Sequence, residues 1–216
     1  MIRIAPEGWP FIRVALALDA ALVVVWYSWP GWPGLLLVIG LLLTVWVAAF
    51  FRDPERRGER GDRLVIAPAD GRICSIAQVD EAMYLHHQAT RISIFMNVLN
   101  VHVNRFPVSG EIEVVHYNPG EFTIASHDKA SLVNEQASIG IRGPRGPMLV
   151  RQIAGSIARR IVTDVGPGDR AAQGERFGMI RFGSRVDVFL DPAVKVKVAM
   201  DQVVRGGQTV IAEYPA

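Results

Sequence analysis

The hydrophobic pattern divides the chain into an apolar N-terminal segment and a longer part in which short apolar runs alternate with turn residues. No charged residue occurs between residues 20 and 51, and a Pro-Gly segment with two tryptophans, Ser28–Gly34, interrupts this stretch. A helix needs about 20 apolar residues to cross the hydrocarbon core of a membrane. The pattern therefore predicts two membrane helices, over Phe11–Trp29 and Trp32–Phe51, joined by a turn at the membrane interface.

The arginines around this hairpin predict its orientation. Arg3 precedes the hairpin, Arg13 lies near the start of the first predicted helix, and five arginines follow the hairpin within twelve residues, whereas the turn has none: Arg52, Arg56, Arg57, Arg60 and Arg63. Positive residues favour the cytoplasmic side, so we expect both ends, and the longer part of the chain that follows, on the cytoplasmic side of the cell membrane. A secretory signal peptide is a weaker alternative because a second, longer apolar run follows at once. A shallow hairpin that does not fully cross the membrane is also compatible with the pattern.

From about residue 61 onward, short β-branched runs separated by Gly, Pro and Asn predict strands and hairpins. We expect hairpin turns at Ser109–Glu111 and Pro167–Asp169, and one short helix at Ser126–Gln136. The predicted fold is mainly β, a sandwich or barrel-like arrangement, preceded by the helical membrane hairpin. The predicted domains are residues 1–60, which form the anchor and a basic linker, and residues 61–216. The segments Ile66–Ile73 and Ile153–Ser184 resemble the hammerhead β-structure of biotinyl and lipoyl carrier domains.

Composition narrows the possible functions. The chain has 216 residues and a formal net charge of +2, and its single cysteine, Cys74, excludes an intrachain disulfide. The basic residues are concentrated just after the apolar segment. This position indicates lipid headgroup contacts or topology signals rather than a nucleic-acid surface. None of the five histidines has the spacing of a zinc site, and we predict no metal.

A Gly-Ser pair, Gly183-Ser184, stands at the start of a predicted strand. Alone, it is typical of a turn or bulge. It is, however, the last of an ordered series of motifs: "FFRDPER", "APADGRI", "NVHVNRFPVSG", "HYNPGEF", "DKASLVNE", "QIAG" and "GS". This series, from about Phe51 onward, closely resembles the phosphatidylserine decarboxylase family, in its short form found in many bacteria and archaea.

The resemblance implies a self-processing enzyme with a covalent cofactor. In this family Ser184 would attack the carbonyl of Gly183, and elimination would leave a pyruvoyl group at position 184. The products would be the chains Met1–Gly183 and Ser184–Ala216, which remain together as a heterodimer. The pyruvoyl ketone would condense with the amine of phosphatidylserine, and loss of CO2 would give phosphatidylethanolamine.

The resemblance also implies candidate roles for other residues. Asp70 in "PADG" matches an acidic residue that would assist self-cleavage, although Asp-Gly is also a common turn pair. His102 matches a family histidine and is a candidate acid or base, with a structural histidine as the alternative. His116 could line the pocket, and the pair Asn134–Glu135 resembles a family "NE" pair that could brace the fold. Arg105 occupies the position of a second histidine in longer family members, which puts the roles of that histidine in doubt.

Two other functions are compatible with parts of the sequence. A pyruvoyl decarboxylase of a soluble amino acid would use the Gly-Ser pair but would not need the membrane hairpin. A non-enzymatic, membrane-anchored carrier module would explain the hammerhead pattern. However, Lys195 and Lys197 alternate with valines in a predicted strand, whereas a carrier lysine stands at a hairpin tip.

Overall fold

The computed structural model of the chain describes residues 2–120, 134–155, 160–181 and 184–215. The chain divides into two compact units, Met1–Glu55 and Arg56–Ala216.

The N-terminal unit is a helical hairpin. Its elements, in chain order, are β1 (Ile2–Ile4), a 3-10 helix (Pro6–Gly8), α1 (Trp9–Ser28), α2 (Pro33–Phe50) and β2 (Arg52–Pro54). β1 pairs with β2 in an antiparallel ladder. By length and composition, both long helices are able to cross a membrane. Large apolar side chains are exposed along both helices, as lipid contact requires, and the predicted apolar hairpin is confirmed.

One polar contact joins the two helices inside this apolar unit. Thr44 Oγ1 donates a hydrogen bond to Asp19 Oδ2 at 2.7 Å, and both side chains are buried. Gly40 makes room for the contact, because a Cβ atom at Gly40 would lie 2.5 Å from Asp19 Oδ1. The polar pair and Gly40 therefore lie in the contact between α1 and α2.

The C-terminal unit is built from short and medium-length strands, which confirms the mainly β prediction. Its strands are β3 (Leu64–Ile66), β4 (Gly71–Glu81), β5 (His87–Met96), β6 (Val103–Arg105), β7 (Gly110–Asn118), β8 (Gln136–Gly143), β9 (Gly146–Ala154), β10 (Ile161–Thr163), β11 (Arg170–Ala171), β12 (Arg176–Ile180), β13 (Ser184–Leu190), β14 (Lys195–Val196), β15 (Val203–Val204) and β16 (Val210–Glu213).

The largest sheet has eight strands in the order β11-β7-β8-β9-β13-β5-β4-β15, and its neighbouring strands are antiparallel. Two three-stranded sheets, β10-β12-β6 and β14-β16-β3, accompany it. Successive residues of a strand point to opposite faces, so Val186, Val188 and Leu190 of β13 all enter the main hydrophobic core. Ser184 precedes them in the same alternation and therefore faces the core side as well.

The structure differs from two local predictions, which are both hairpin turns. The segments Ser109–Glu111 and Pro167–Asp169 connect strands of different sheets, so neither is a hairpin turn. The β8–β9 hairpin instead turns at residues 143–146, where Gly146 has a φ of +119°. Residues 126–133 of the predicted helix lie outside the described residues, and Gln136 begins β8.

Candidate active site

Ser184 occupies the start of a central strand and is fully buried. It pairs with Met96 of β5 on one side and with Ala154 of β9 on the other. Directly opposite residues share a face of the sheet, so all three side chains point towards the core. The described residues provide no hydrogen-bond partner for Ser184 Oγ. Gly183, the predicted cleavage position before it, lies outside the described residues.

The neighbouring pair Asn134–Glu135 braces one wall of this position. Asn134 Nδ2 donates to the Ala154 carbonyl at 2.7 Å, and the Ala154 N–H donates to the Glu135 carbonyl at 2.9 Å. The Tyr117 hydroxyl donates to Glu135 Oε1 at 2.8 Å. This hydrogen bond to a carboxylate, assisted by burial, raises the pKa of Tyr117. The pair thus anchors the strand position that lies opposite Ser184.

A chain of polar side chains, of which Gln152 and Asn104 are fully buried and Thr163 is half-buried, crosses the same end of the core. Thr163 Oγ1 donates to Gln152 Oε1 at 3.0 Å, and Gln152 Nε2 donates to Asn104 Oδ1 at 2.8 Å. Asn104 Nδ2 points at Met96 Sδ, 3.8 Å away. Asn104, Gln152 and Thr163 do not stand out in the sequence as a group, because they come from three separate strands. The "HVNRFP" motif, which contains Asn104, was the available signal.

His102 is also fully buried on this side of the molecule. Its Nδ1 donates to the Asn100 carbonyl at 3.0 Å, and its own carbonyl accepts from the Ile180 N–H at 3.3 Å. The second bond continues the β6–β12 ladder, so His102 shares a face with Asn104 two residues later. Because a carbonyl can only accept, Nδ1 carries a proton in this contact, and Nε2 is the other ring nitrogen.

Asp70 lies about two strands away from Ser184 across the largest sheet. It precedes β4, which is separated from β13 by β5, and two strand spacings amount to about 10 Å. Asp70 Oδ2 accepts a hydrogen bond from Arg56 Nη2 at 2.7 Å, and Oδ1 accepts from the Gly206 N–H at 2.8 Å. Both carboxylate oxygens are therefore engaged within their own neighbourhood.

His116 lies on the other face of the sheet. It pairs with Ser138 of β8, which pairs with Arg151 of β9, which in turn pairs with Asp187 of β13. Asp187 is three residues from Ser184 and points away from the core. The structure therefore does not bring His116, whose side chain is exposed, to the face that carries Ser184.

A cavity of about 260 Å³ opens at the far end of the sheet, near the β8–β9 turn, where Arg60, Arg145 and Gln173 line it. Ser184 pairs with Ala154 at one end of β9, and Gly146 at the turn is the other end of this strand. The two ends are eight residues apart, which corresponds to about 26 Å along the strand. The cavity is thus separate from the buried polar cluster. Among the described residues, no group of three or more His, Cys, Asp or Glu side chains could hold a metal ion.

Comparison with known proteins gives consistent matches. The family model described as phosphatidylserine decarboxylase matches residues 43–212. A phosphatidylserine decarboxylase proenzyme of Nitrosomonas eutropha is 49% identical over 212 residues, which cover 98% of this chain and 95% of the relative. A phosphatidylserine decarboxylase proenzyme of Azorhizobium caulinodans is 47% identical over 219 aligned positions, which cover 100% of this chain and 91% of the relative. The similarity therefore includes the apolar hairpin as well as the β unit.

Proposed function

The chain belongs to the phosphatidylserine decarboxylase family, and we propose that it converts phosphatidylserine to phosphatidylethanolamine and CO2 after cleaving itself between Gly183 and Ser184. The observation that carries this proposal is the environment of Ser184. Its hydroxyl is buried at the start of a central strand and has no hydrogen-bond partner among the described residues. The relatives are named proenzymes, and maturation by cleavage agrees with that name.

Self-cleavage requires two bond exchanges at Ser184. First, Oγ attacks the carbonyl carbon of Gly183; the C–O bond forms, the C–N bond breaks, and the hydroxyl proton passes to the Ser184 nitrogen. Second, a base removes the Ser184 Cα proton and the Cβ–O bond breaks, which releases Gly183 as a carboxylate. Hydrolysis of the remaining dehydroalanine releases ammonia and leaves the pyruvoyl group on the Ser184–Ala216 chain.

The residues around position 184 fit such a group. It would cap β13 in a buried site between Met96 and Ala154, and Met96 in turn contacts the amide nitrogen of Asn104. When present, the pyruvoyl group supplies an electron sink that takes up the substrate amine and accepts the electron pair released with CO2. We propose that His102 exchanges a proton with the reacting carbon, because it is a fully buried imidazole whose Nδ1 is held by the Asn100 carbonyl, and because an imidazole can both give and take a proton.

The membrane hairpin agrees with a lipid substrate. A lipid substrate is concentrated at a bilayer, and the exposed apolar surface of α1 and α2 suits a protein that stays there. We place the β unit on the cytoplasmic side of the cell membrane, because the arginines flank the hairpin and avoid its turn. Reporter fusions at Gly31 and at the C-terminus test this arrangement; a C-terminus accessible only from outside would contradict it.

Intact mass of the purified protein tests self-cleavage. We expect two chains that divide between Gly183 and Ser184, with the mass of a pyruvoyl group at position 184. Ser184→Ala should remain full length, because no hydroxyl is left to attack. Cleavage of this variant at the same bond would show that a host protease acts there, and the proposal would fail.

Covalent capture tests the substrate. Borohydride added during turnover should fix phosphatidylserine to the Ser184–Ala216 chain, and the Ser184→Ala protein should take up no lipid. Equal capture and decarboxylation of free serine would favour a decarboxylase of soluble amino acids instead. The carrier alternative has less support, because Lys197 forms an ion pair with Glu213 at 2.6 Å and is not at a hairpin tip.

A further inference from the structure

The exposed apolar side chains of the β unit share one region of its surface. Among the described residues of this unit, five large hydrophobic side chains are exposed: Val98, Leu99, Tyr117, Met200 and Val203. Single exposed apolar residues are ordinary, whereas several that share one region indicate an interaction surface.

Two of the five, at positions 98 and 99, stand in the turn Asn97–Asn100, which follows β5. The turn begins directly after Met96, which pairs with Ser184. On the other side of the turn, His102 Nδ1 donates to the Asn100 carbonyl at 3.0 Å. The turn therefore connects two residues of the candidate active site, and its apolar side chains lie at the end of the sheet that carries Ser184.

Met200 and Val203 lie at the same end, beside the start of β4. Val203 pairs with Arg72, the second residue of β4, and Arg72 pairs with Phe95, which is one residue from the end of β5. The N–H of the residue after Met200 donates to the Ile73 carbonyl at 2.9 Å. Both side chains therefore belong to the edge at which β4 begins and β5 ends.

Tyr117 completes the group from the other half of the sheet. It pairs with Ala137, the second residue of β8, and its hydroxyl donates to Glu135, which directly precedes that strand. β8 begins where β9 ends, and the last residue of β9 pairs with Ser184. All five exposed apolar side chains thus lie at the end of the sheet that carries Ser184.

The connection from the apolar hairpin joins the β unit at this end as well. Arg56, the first residue of the unit, donates to Asp70 at 2.7 Å, and Asp70 directly precedes β4. The start of β4 is the edge beside which Met200 and Val203 lie.

Exposed cations accompany the apolar side chains. Arg160 is exposed and directly precedes Ile161, whose N–H donates to the carboxylate that binds Tyr117. Arg72 is 57% exposed, and its ion pair with the still more exposed Asp201 is 4.0 Å long. Basic side chains beside exposed apolar ones are typical of surfaces that bind anionic lipid.

The turn Asn97–Asn100 is suited to enter an apolar medium. Asn97 Oδ1 accepts from the Leu99 N–H at 2.9 Å, and Asn100 Oδ1 accepts from the Asn97 N–H at 2.9 Å. The Asn97 carbonyl accepts from the Asn100 N–H at 3.0 Å. Backbone polar groups must be satisfied internally where water is excluded. The two asparagines meet this need and leave Leu99 69% exposed.

We propose that this end of the β unit contacts the bilayer surface, with Val98 and Leu99 inserted among the lipid headgroups, so that phosphatidylserine reaches position 184 without leaving the membrane. The role in substrate delivery rests on the proposed function, whereas the contact itself does not. A lipid surface is the occupant that fits, because apolar side chains and cations occur together there and the connection to the apolar hairpin is at the same end.

Quenching by labelled lipids tests the contact. An environment-sensitive fluorophore is attached at Leu99→Cys in a Cys74→Ser chain, and the full chain is reconstituted in vesicles of phosphatidylcholine and phosphatidylglycerol. We expect lipids with a nitroxide near the headgroup to quench this fluorophore about threefold more strongly than one at the control position. Equal quenching at the two positions would overturn the proposal. A fluorophore that is blue-shifted but escapes the lipid nitroxides would show that protein covers the turn, such as a second copy of the chain, and would overturn it too.

The matched control position is Ala193, which is exposed in a turn at the opposite end of β13. This turn has the same local hydrogen bonds. The Ala193 N–H donates to Asp191 Oδ1 at 2.8 Å, and the Val194 N–H donates to the Asp191 carbonyl at 3.0 Å. Ala193→Cys in the Cys74→Ser chain therefore carries the fluorophore in a like turn away from Ser184.

Turnover tests the delivery of the substrate. The kcat/KM for phosphatidylserine in vesicles is divided by that for a short-chain phosphatidylserine dissolved as monomers. Leu99→Asp should lower this ratio about tenfold, because the burial of a leucine at the bilayer is lost. A residue needed only for folding or chemistry would lower both values alike and leave the ratio unchanged.

Ala193→Asp should keep the wild-type ratio. A wild-type ratio for Leu99→Asp would overturn the role in delivery. If the wild-type chain does not decarboxylate phosphatidylserine in either form, the proposed function fails, and quenching at position 99 still decides whether the turn contacts the bilayer.

Discussion

Arg56 Nη2 lies 2.7 Å from Asp70 Oδ2, and only 10% and 15% of the two side chains are exposed. Arg56 is the first residue of the C-terminal unit, and Asp70 immediately precedes β4. Arg60, four residues later, donates to the Gly207 carbonyl at 2.8 Å. At least two arginines of the basic segment after the hairpin therefore bind within the β unit, in addition to any effect they have on topology.

The ion pair between Arg56 and Asp70 should contribute measurably to stability. We expect Arg56→Ala to lower the free energy of unfolding by about 2 kcal/mol, because it leaves a mostly buried carboxylate without its cation. The variants are made in the Ser184→Ala background and unfolded with urea. Arg56→Ala, Asp70→Asn and the double variant form a cycle, and the double variant should lose less than the sum of the single losses. Strict additivity would show that the two residues are not coupled.

His102 should matter for chemistry rather than for folding. The informative variant is His102→Asn, whose amide nitrogen can replace Nδ1 in the hydrogen bond to the Asn100 carbonyl but which cannot titrate near neutral pH. We expect a Tm close to that of the wild type. Self-cleavage, or CO2 release from phosphatidylserine by the cleaved protein, should fall by about 100-fold or more. Wild-type rates in both assays would remove His102 from the site.

Glu81 should make stability depend on pH at the acid end. Burial raises the pKa of Glu81. This effect is outweighed by hydrogen bonds from the N–H groups of Leu85, Tyr84 and Met83 and by the positive charge of Arg151, so the pKa lies below its ordinary value of 4.5. A lowered pKa means that the carboxylate contributes stability above about pH 4.5, and that this contribution is lost as the pH falls towards the folded-state pKa.

The comparison of the wild type with Glu81→Gln measures this contribution. At pH 7 the variant should be less stable by about 2 kcal/mol, because hydrogen bonds to a charged acceptor are lost. The difference should stay constant from pH 6 to 8 and shrink below pH 4.5. Urea unfolding across this pH range gives the result, and a difference that grows on acidification would contradict the assignment.

The polar contact between the two apolar helices should stabilise the hairpin. Thr44→Val removes the hydroxyl that binds Asp19, and we expect a loss of about 1 kcal/mol, as for other hydrogen bonds between membrane helices. Gly40→Val should cost more, because its side chain would collide with Asp19. The measurement is the midpoint of an SDS titration of the full chain in detergent, followed by helical circular dichroism.

A matched control separates this contact from hydroxyl loss in general. Ser28→Ala removes a hydroxyl that binds the Val24 carbonyl within α1, so it should leave the midpoint unchanged. Equal shifts for Thr44→Val and Ser28→Ala would show that the contact between the helices contributes nothing specific.

The sequence by itself predicted the elements that depend only on the local pattern of residues. The apolar runs predicted both helices to within a few residues of α1 and α2, because a helix that suits a membrane is recognised from length and composition alone. The ordered motifs indicated the family and singled out Ser184. Alternating β-branched residues predicted a mainly β unit, although the turns at Ser109–Glu111 and Pro167–Asp169 proved to join different sheets.

Only the tertiary structure decided which polar side chains join in the buried chain at the end of the core that holds Ser184. Asn104, Gln152 and Thr163 belong to three strands, and each looks like an ordinary polar strand residue in the sequence. His116 looked equally suitable as a pocket residue, but the register of β7, β8, β9 and β13 directs it to the opposite face. The physical reason is that strand register depends on hydrogen bonds between segments far apart in the chain, and a shift of one residue turns a side chain from one face to the other.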